Sequence, residues 1–567
     1  MELALAEKTA CDSLASNFID SEAYEAFVKK SVEDLKSRGK SLEGARALDL
    51  SCGSGRLALG LAEAGCSKVV ASDAAGPETA AFQTLLRGGI VSVSLQIEGE
   101  IFEKREVTWK KPSRDRVSFV EIRVAEEETA GVIEKLRTAS GGDGYDVVTL
   151  FCGMEKSRDP KALVEVARSL VRQGGTLFIG YTGAWNDRIA PASKWVGGVG
   201  AGGPTVGAAL ESRLSPMGRC EESGWDLEVV VRDTARKTSV AVVRVETFVK
   251  AEGAYTNGVK TGGEEDVTMS GAGEAGTETL QWKEEGEKVA MYERTAMVQV
   301  YLDMHFSPET LLGVENFPKA CARECGDLAR ELLLDSSGGP RGGLRVLELG
   351  GGVGRFAFEA ARWASEVWGS DYSEAFVKAA RGVKETGVAE WGVVKAGGLR
   401  EEKRACLKED LGIGEAERER VKDFIRVDAT KLDLPPSLLE ETKTEAGAFD
   451  LIFGGNLIDR LPDPLSFLQK VGGMLKKDGL LVLSSPYTWL SDMTPREKWI
   501  GGREVDGKAI RTESALRDLL LKEGGDARGP RCFVEARPPK NIAFVIRESE
   551  RTFQRTQSQR TVWQKTQ

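Results

Sequence analysis

The sequence predicts an α/β protein built from two tandem Rossmann-like domains, each a mostly parallel sheet closed by a C-terminal antiparallel hairpin. Three observations carry this. A set of motifs occurs twice at a nearly constant offset: "GARALDLSCGSGR" (44–56) with "GLRVLELGGGVGR" (343–355), "YDVVTLFCGMEKSRDP" (145–160) with "FDLIFGGNLIDRLPDP" (449–464), and "APASKWVGG" (190–198) with "TPREKWIGG" (494–502). Within each copy, short continuous apolar runs alternate with amphipathic helical runs, the pattern of parallel strands covered on both faces. Each copy then ends in β-rich segments too closely spaced for a parallel crossover.

In the second copy the strands are expected at 345–349, 366–370, 423–427, 450–454 and 480–484. A helix with an Asp-Pro start covers 463–475. The closing hairpin is expected to pair 531–536 with 541–546, with "RPPK" as its turn. The charged stretch 395–422 reads as an insertion forming an exposed helix pair. Between the copies, residues 251–290 are dominated by Gly, Glu and Thr without periodicity, as in a flexible linker. The expected organisation is a first domain over 1–250, a linker over 251–290 and a second domain over 291–567.

Composition narrows the function. The 567 residues are 41% hydrophobic and 29% charged, as in a globular protein, and no apolar run is long enough to span a membrane. The N-terminal stretch has no basic region followed by an apolar one, so a cytoplasmic location is expected. A net charge of −10 gives no general attraction to nucleic acid or anionic membrane. Nine scattered cysteines and a single histidine, His305, argue against a metal site.

"LELGGGVGR" places Gly350, Gly352 and Gly354 between a strand and a helix, where the backbone must turn sharply and approach a ligand. Asp371 ends the next strand, where a carboxylate can accept from ribose hydroxyls. The looser dinucleotide fingerprint also fits these glycines. Glu348, Asp371 and Asp428 together suit S-adenosylmethionine better, because that ligand presents a ribose diol and an adenine amino group, both hydrogen-bond donors, and has no pyrophosphate. A closing C-terminal hairpin is likewise typical of class I methyltransferases. Asn456 falls at the carboxyl end of a strand facing the crevice, and Asp459 and Arg460 follow it; an Asp459–Arg460 ion pair is the plain structural alternative. Tyr487, Trp489 and Trp499 suit an aromatic substrate wall.

"YLDMHFS" (301–307), "NLIDRLPDP" (456–464), "SPYTW" (485–489), "TPREKWIGG" (494–502) and "VIRESER" (545–551) together resemble the 4-mercaptohistidine N1-methyltransferase domain of ovothiol biosynthesis. The resemblance covers about 291–567. It implies methyl transfer from S-adenosylmethionine to an imidazole nitrogen of a small-molecule substrate. It also raises a separate sulfoxide synthase as partner, since one histidine could not build that enzyme's iron site. "HFS" and "RESER" depart slightly from the family pattern. An imidazole nitrogen attacks only with its lone pair free, so a base would help; Asp459, His305 and Tyr487 are the candidates, with Asn456 at the crevice. Arg460 and Arg496 are candidates to grip the substrate carboxylate. The helical stretch around His305 is expected to fold over the crevice as a lid; the alternative is a histidine that packs or caps that helix.

The first copy departs at Ser51 and Cys52 in the glycine loop, at Cys152 opposite Asn456 and at Glu155 opposite Asp459. A structural or regulatory first copy is expected, with retained cofactor binding as the alternative. For the whole chain the alternatives are a methyltransferase for another small heteroaromatic or amine substrate, and a non-catalytic scaffold.

Overall fold

A computed structural model describes residues 22–199, 203–215, 217–219, 224–250, 292–335, 337–339, 341–435, 438, 447–521 and 528–566. The linker assigned to 251–290 lies outside the described residues. The strands of the first half are β1 (Arg46–Leu50), β2 (Lys68–Asp73), β3 (Val91–Glu98), β4 (Ile101–Val107), β5 (Val117–Glu121), β6 (Tyr145–Phe151), β7 (Val171–Tyr181), β8 (Gly218–Arg219), β9 (Trp225–Arg232) and β10 (Lys237–Val249). Those of the second half are β11 (Arg345–Leu349), β12 (Glu366–Asp371), β13 (Val388–Ala396), β14 (Leu399–Cys406), β15 (Val421–Arg426), β16 (Phe449–Gly455), β17 (Leu475–Ser485), β18 (Arg503–Val505), β19 (Lys508–Ile510), β20 (Phe533–Arg547) and β21 (Thr552–Lys565).

The apolar runs of β11, β16 and β17 are buried on both faces, as parallel strands under two helical layers must be. Both halves repeat one order, with the first strand central and the last pair antiparallel. The two sheets are also one sheet. The path runs β15-β12-β11-β16-β17-β21-β10-β7-β6-β1-β2-β5, with β20 on β21 and both β8 and β9 on β10, fifteen strands in all. The join has a simple cause. β10 pairs with β7 only from Arg244 to Val249, and its overhang, Lys237–Ala241, pairs with the overhang Thr552–Thr556 of β21. The pairing is antiparallel and centred on Ser239 and Gln554, as an approximate twofold axis requires. Strand edges that each half alone would leave open are thereby paired.

A second exchange crosses the same axis, and it explains the duplicated Lys-Trp-x-Gly-Gly loop. The β3–β4 hairpin of the first half reaches the second: Glu100 N–H donates to the Gly502 carbonyl at 2.7 Å. The β13–β14 hairpin of the second half reaches the first: Gly398 N–H donates to the Gly198 carbonyl at 3.1 Å. Gly99 and Gly397 hold the hairpin tips at φ 50° and 55°, and an added Cβ would lie 2.1 and 2.5 Å from the carbonyl oxygens of Gly502 and Gly198. Each loop is itself braced alike. Lys194 and Lys498 pair with Asp159 and Asp463, the N-caps of the helices Pro160–Leu170 and Pro464–Met474. Trp195 stacks on Trp185 and Trp499 on Trp489. The repeated motif is the socket for the other half's hairpin, which is why both copies keep it.

Two sequence expectations are corrected. "RPPK" is not a turn. It is a bulged stretch inside the single long strand β20, whose partner is β21. Apart from a single bridge from Phe533 to Leu521, β20 pairs only with β21, so Pro538 and Pro539 forfeit no ladder bond on the other side. The stretch 395–422 is not a helix pair; its first part, as far as Cys406, belongs to the β13–β14 hairpin, and it holds one short helix, Glu415–Arg420.

Candidate functional site

The carboxyl ends of β11, β12, β15 and β16 open into a cavity of about 730 Å³. Gly350, Gly352 and Gly354 turn the chain at φ 69°, 55° and 90°. Gly352 N–H donates to Asp371 at 2.8 Å, and Ser373 N–H donates to the same carboxylate at 2.9 Å. Burial pushes the Asp371 carboxyl up to about 6. Glu348 lies behind the loop, where burial first and the Asp371 charge second push its pKa well above the usual range. Its Oε2 is buried without a hydrogen-bond partner, although Glu348 lines the cavity. A buried carboxylate oxygen in that state suits a cationic ligand group. Asp428 also lines the cavity. Burial would raise its pKa, but Thr430 and Lys431 hold it below the usual range.

The first half retains more of this turn than its sequence suggests. Gly53 N–H donates to Asp73 at 2.8 Å, as Gly352 does to Asp371. Ser51 adopts φ 63° in the place of Gly350. Cys52 is accommodated for a steric reason. A Cβ on Gly351 would lie 2.5 Å from the Glu348 carboxyl carbon, whereas the first half has the shorter Asp49 at that place. Glycine with glutamate, and cysteine with aspartate, are two packings of one loop.

Over the crevice lies the helix Thr295–Phe306. Glu293, just before it, accepts from the backbone N–H groups of Glu374 and Ala375 at 2.9 and 3.0 Å. Gln299 and Asp303 tie the helix to β13, accepting from Gly392 N–H and Trp391 Nε1–H. Tyr301 and His305 thereby face the glycine loop. His305 Nδ1 accepts the backbone N–H of Arg355 at 3.3 Å, which leaves the proton of the neutral ring on Nε2. Burial, with the Arg355 charge second, lowers its pKa to about 3. His305 lines the cavity as a neutral ring that can donate a hydrogen bond, and it is too weakly basic to act as the base.

That depressed pKa makes an acid-stability prediction. Unfolded histidine titrates near 6.5, so between about pH 6.5 and 3 the unfolded chain binds a proton that the folded chain refuses. Acidification through this window therefore removes stability. His305→Asn should lose stability less steeply there in denaturant titrations; identical slopes would show that His305 titrates freely.

The other sequence-named residues divide into those at the cavity and those behind it. Asn456, at φ 51°, lines the cavity and accepts from Ser558 Oγ–H at 2.6 Å. Tyr487 and Trp489 line it as well. Tyr487 O–H donates to Gln559 at 2.9 Å, and burial holds its pKa well above the ordinary value, so it stays protonated. Asp459 is different. It is 0% exposed and accepts from Ser485 Oγ–H, Thr488 N–H, Thr488 Oγ–H and Arg460 Nη1–H. It is therefore a brace for the loop after β17 and no base for a ligand in the cavity. Glu155 does the same in the first half, accepting from Thr182 N–H and Gly183 N–H at 2.6 and 3.0 Å.

Both expected carboxylate grips are committed elsewhere. Arg460 reaches the cavity, but its Nη1 donates to Asp459 and the Thr488 carbonyl, its Nη2 to Thr488 Oγ, and its side chain also bonds that of Tyr292, so its guanidinium is engaged by its own loop and by Tyr292. Arg496 is 61% exposed and pairs with Glu100 of the first half, outside the cavity. Trp499 is also outside it, behind Trp489.

The sequence reasoning missed one whole wall. Gln96, Glu98, Asp233, Thr234 and Lys237 line the same cavity, and all belong to the first half. Glu98 accepts from Thr512 N–H at 2.8 Å, at the start of the helix Thr512–Leu520. Arg236 lies over the Tyr487 ring at 5.3 Å. The only sequence signal for this wall was the retention of both Lys-Trp-x-Gly-Gly sockets.

A family model described as "Methyltransferase domain" matches residues 22–198 and 319–524, more than half of the chain. The chain belongs to the methyltransferase-domain family. The match falls once in each half of this methyltransferase, on both glycine loops. Among solved structures, it is similar to the magnesium protoporphyrin IX methyltransferase of Synechocystis PCC 6803 with bound SAM, at 15% identity over 51% of this chain and 100% of that one, with a TM-score of 0.29. It is also similar to the tRNA (m1A58) methyltransferase of Aquifex aeolicus, at 16% identity over 48% and 76% of the two chains and a TM-score of 0.24. Comparison with curated proteins gives no match. Among the described residues of the methyltransferase, no helix is long and apolar enough to cross a membrane.

Proposed function

We propose that the second half transfers the methyl group of S-adenosylmethionine to an imidazole nitrogen of 4-mercaptohistidine. The observation that carries this reading is one continuous cavity with two kinds of wall. At one end stand the glycine turn, Glu348, Asp371 and Asp428; at the other stand Tyr487, Trp489 and the polar groups of the first half. The unpartnered Glu348 Oε2 fits the cofactor's ammonium, and Asp371 its ribose diol. The cofactor supplies an electrophilic methyl group on a sulfonium. The chain's own part is to align the acceptor nitrogen, exclude water and hold the ring. Tyr301, Tyr487 and Trp489 provide flat faces for an aromatic ring, and His305 Nε2–H offers a hydrogen bond.

None of the three expected bases suits that role: His305 is too acidic when protonated, Tyr487 holds its proton and Asp459 is sealed. In this reading the acceptor enters with its ring nitrogen already unprotonated. A separate sulfoxide synthase would supply the mercapto substrate, in a cytoplasmic setting. Purified protein with labelled S-adenosylmethionine should methylate 4-mercaptohistidine and leave histidine nearly untouched. Equal rates on the two would reject the thiol-bearing acceptor and favour a broader imidazole or amine methyltransferase; no transfer to any such acceptor would favour the scaffold.

A further inference from the structure

The two cations that the sequence offered for the acceptor's carboxylate both have partners, Arg460 in its own loop and in Tyr292, and Arg496 in Glu100. Of the described residues that line the cavity, one other is a lysine or arginine: Lys237, at the start of β10 in the first half. Its side chain is 29% exposed. Its ammonium stands 3.6 Å from Asp233 Oδ2, within ion-pair range and beyond hydrogen-bond range. Asp233 is itself held by Ser239 Oγ–H at 2.9 Å. Glu548, the other carboxylate near this pair, accepts from Gln554. Lys237 is thus a cation at a cavity wall with its hydrogen-bonding capacity uncommitted to those carboxylates.

We propose that Lys237 grips the carboxylate of the methyl acceptor, so that the half with the altered glycine loop supplies the specificity of the other half's reaction. The proposal rests on the methyltransferase reading of the cavity and adds its second contributor.

The approximate twofold axis offers an internal control. It sets Thr552 opposite Lys237, and Ala396 and Gly398 opposite Glu98 and Glu100. Both turns carry charge, Asp233, Arg236 and Lys237 in one and Glu548, Glu550 and Arg551 in the other, but the place of Lys237 is taken by the neutral Thr552 in the second, and there the hairpin's Lys395 is paired with Glu401 and Glu550. Backbone contacts are equal on the two sides: Ala235 N–H donates to the Gln96 carbonyl at 2.8 Å, and Glu550 N–H to the Val394 carbonyl at 2.7 Å. Architecture alone explains the shared backbone bonds and leaves Glu98 and Lys237, whose counterparts are Ala396 and Thr552, unexplained. A lysine not hydrogen-bonded to the neighbouring carboxylates, present at this position only on the side of the intact glycine loop, fits recognition of an acceptor carboxylate. Glu98 then serves as a positioning residue, because its bond to Thr512 fixes the hydroxyl that accepts from Trp489 Nε1–H at 2.7 Å.

The test uses the full chain. Lys237→Met should raise KM for 4-mercaptohistidine about tenfold or more, the usual scale for a lost charge-assisted bond. The dissociation constant for S-adenosylmethionine and the melting temperature should stay near those of the unmodified chain, and Lys237→Arg should restore most of the loss. The decarboxylated analogue, 4-mercaptohistamine, should be methylated equally by Lys237→Met and the unmodified protein, since it offers nothing to grip. An unchanged KM in Lys237→Met would overturn the proposal. So would an equal loss with the analogue, because the residue would then be packing the wall. If another amino acid proves to be the acceptor, the substrate reading fails separately, and the same comparison with its decarboxylated form decides the role of Lys237. Calorimetry with the acceptor in the presence of S-adenosylhomocysteine makes the same comparison without turnover.

Discussion

Gly352→Val should reduce S-adenosylmethionine binding by about a hundredfold or more in a chain that still folds. Gly352 sits at φ 55°, a conformation that a β-branched residue adopts only under strain. An added Cβ would lie 3.2 Å from the Tyr301 ring and 3.4 Å from His305, tight but short of a collision with backbone. Folding is therefore not blocked. The conflict falls on function, since the two methyl groups would reach into the cavity. Relief of the strain by a change of φ would also turn the Gly352 N–H away from Asp371. Calorimetry with S-adenosylmethionine, on protein whose circular dichroism matches the unmodified chain, measures the effect. Gly352→Ala should fall between the two. Undiminished affinity in folded Gly352→Val would reduce the loop to a mere turn.

What the sequence disclosed was local or repeated. The glycine turn, the apolar strands and the Asp-Pro helix start are written in neighbouring residues, and duplication marked them twice. What it hid was long-range. The hairpin exchange joins Glu100 to Gly502 and Gly183 to Gly397, contacts that leave no periodicity in the chain. The overhang of β10 onto β21 likewise depends on strand length, and the ends of strands are poorly marked by composition. "RPPK" misleads because a proline pair reads as a turn until it is known that the strand is an outer one.

The candidate site was legible in one half of its chemistry. Glu348, Asp371 and Asn456 do reach the cavity, because the carboxyl ends of parallel strands point there. The loop residues were less legible. Arg496 and Trp499, in the repeated Lys-Trp loop, read as substrate contacts in the sequence, yet they build the socket between halves. A signal was available in the duplication itself. A feature that a diverged copy retains, such as the socket, is architecture. The same argument applies to the carboxylates of Glu155 and Asp459, which differ in length and cap the same turn.

That equivalence sets the second large effect. Asp459→Ala should destabilise the second half by about 3 kcal/mol or more, the scale for breaking a buried ion pair by deleting one partner. Asp459 is fully buried and accepts hydrogen bonds from Ser485, Thr488 and Arg460. Its removal leaves the Thr488 N–H without its acceptor and the Arg460 guanidinium without its counter-charge. The loop it secures runs on into Trp489 and the socket for the β3–β4 hairpin, so the damage should spread to the contact between halves. Two readouts separate this role from that of a base. Denaturant unfolding should show the lost stability directly, and Asp459→Glu should recover part of it, since Glu155 performs the same task in the first half. A base would behave otherwise: Asp459→Ala would keep its unfolding midpoint, lose kcat by about a hundredfold and shift the acid limb of the pH–rate profile. An Asp459→Ala protein with unchanged stability and collapsed turnover would move Asp459 from the frame of the loop into the chemistry.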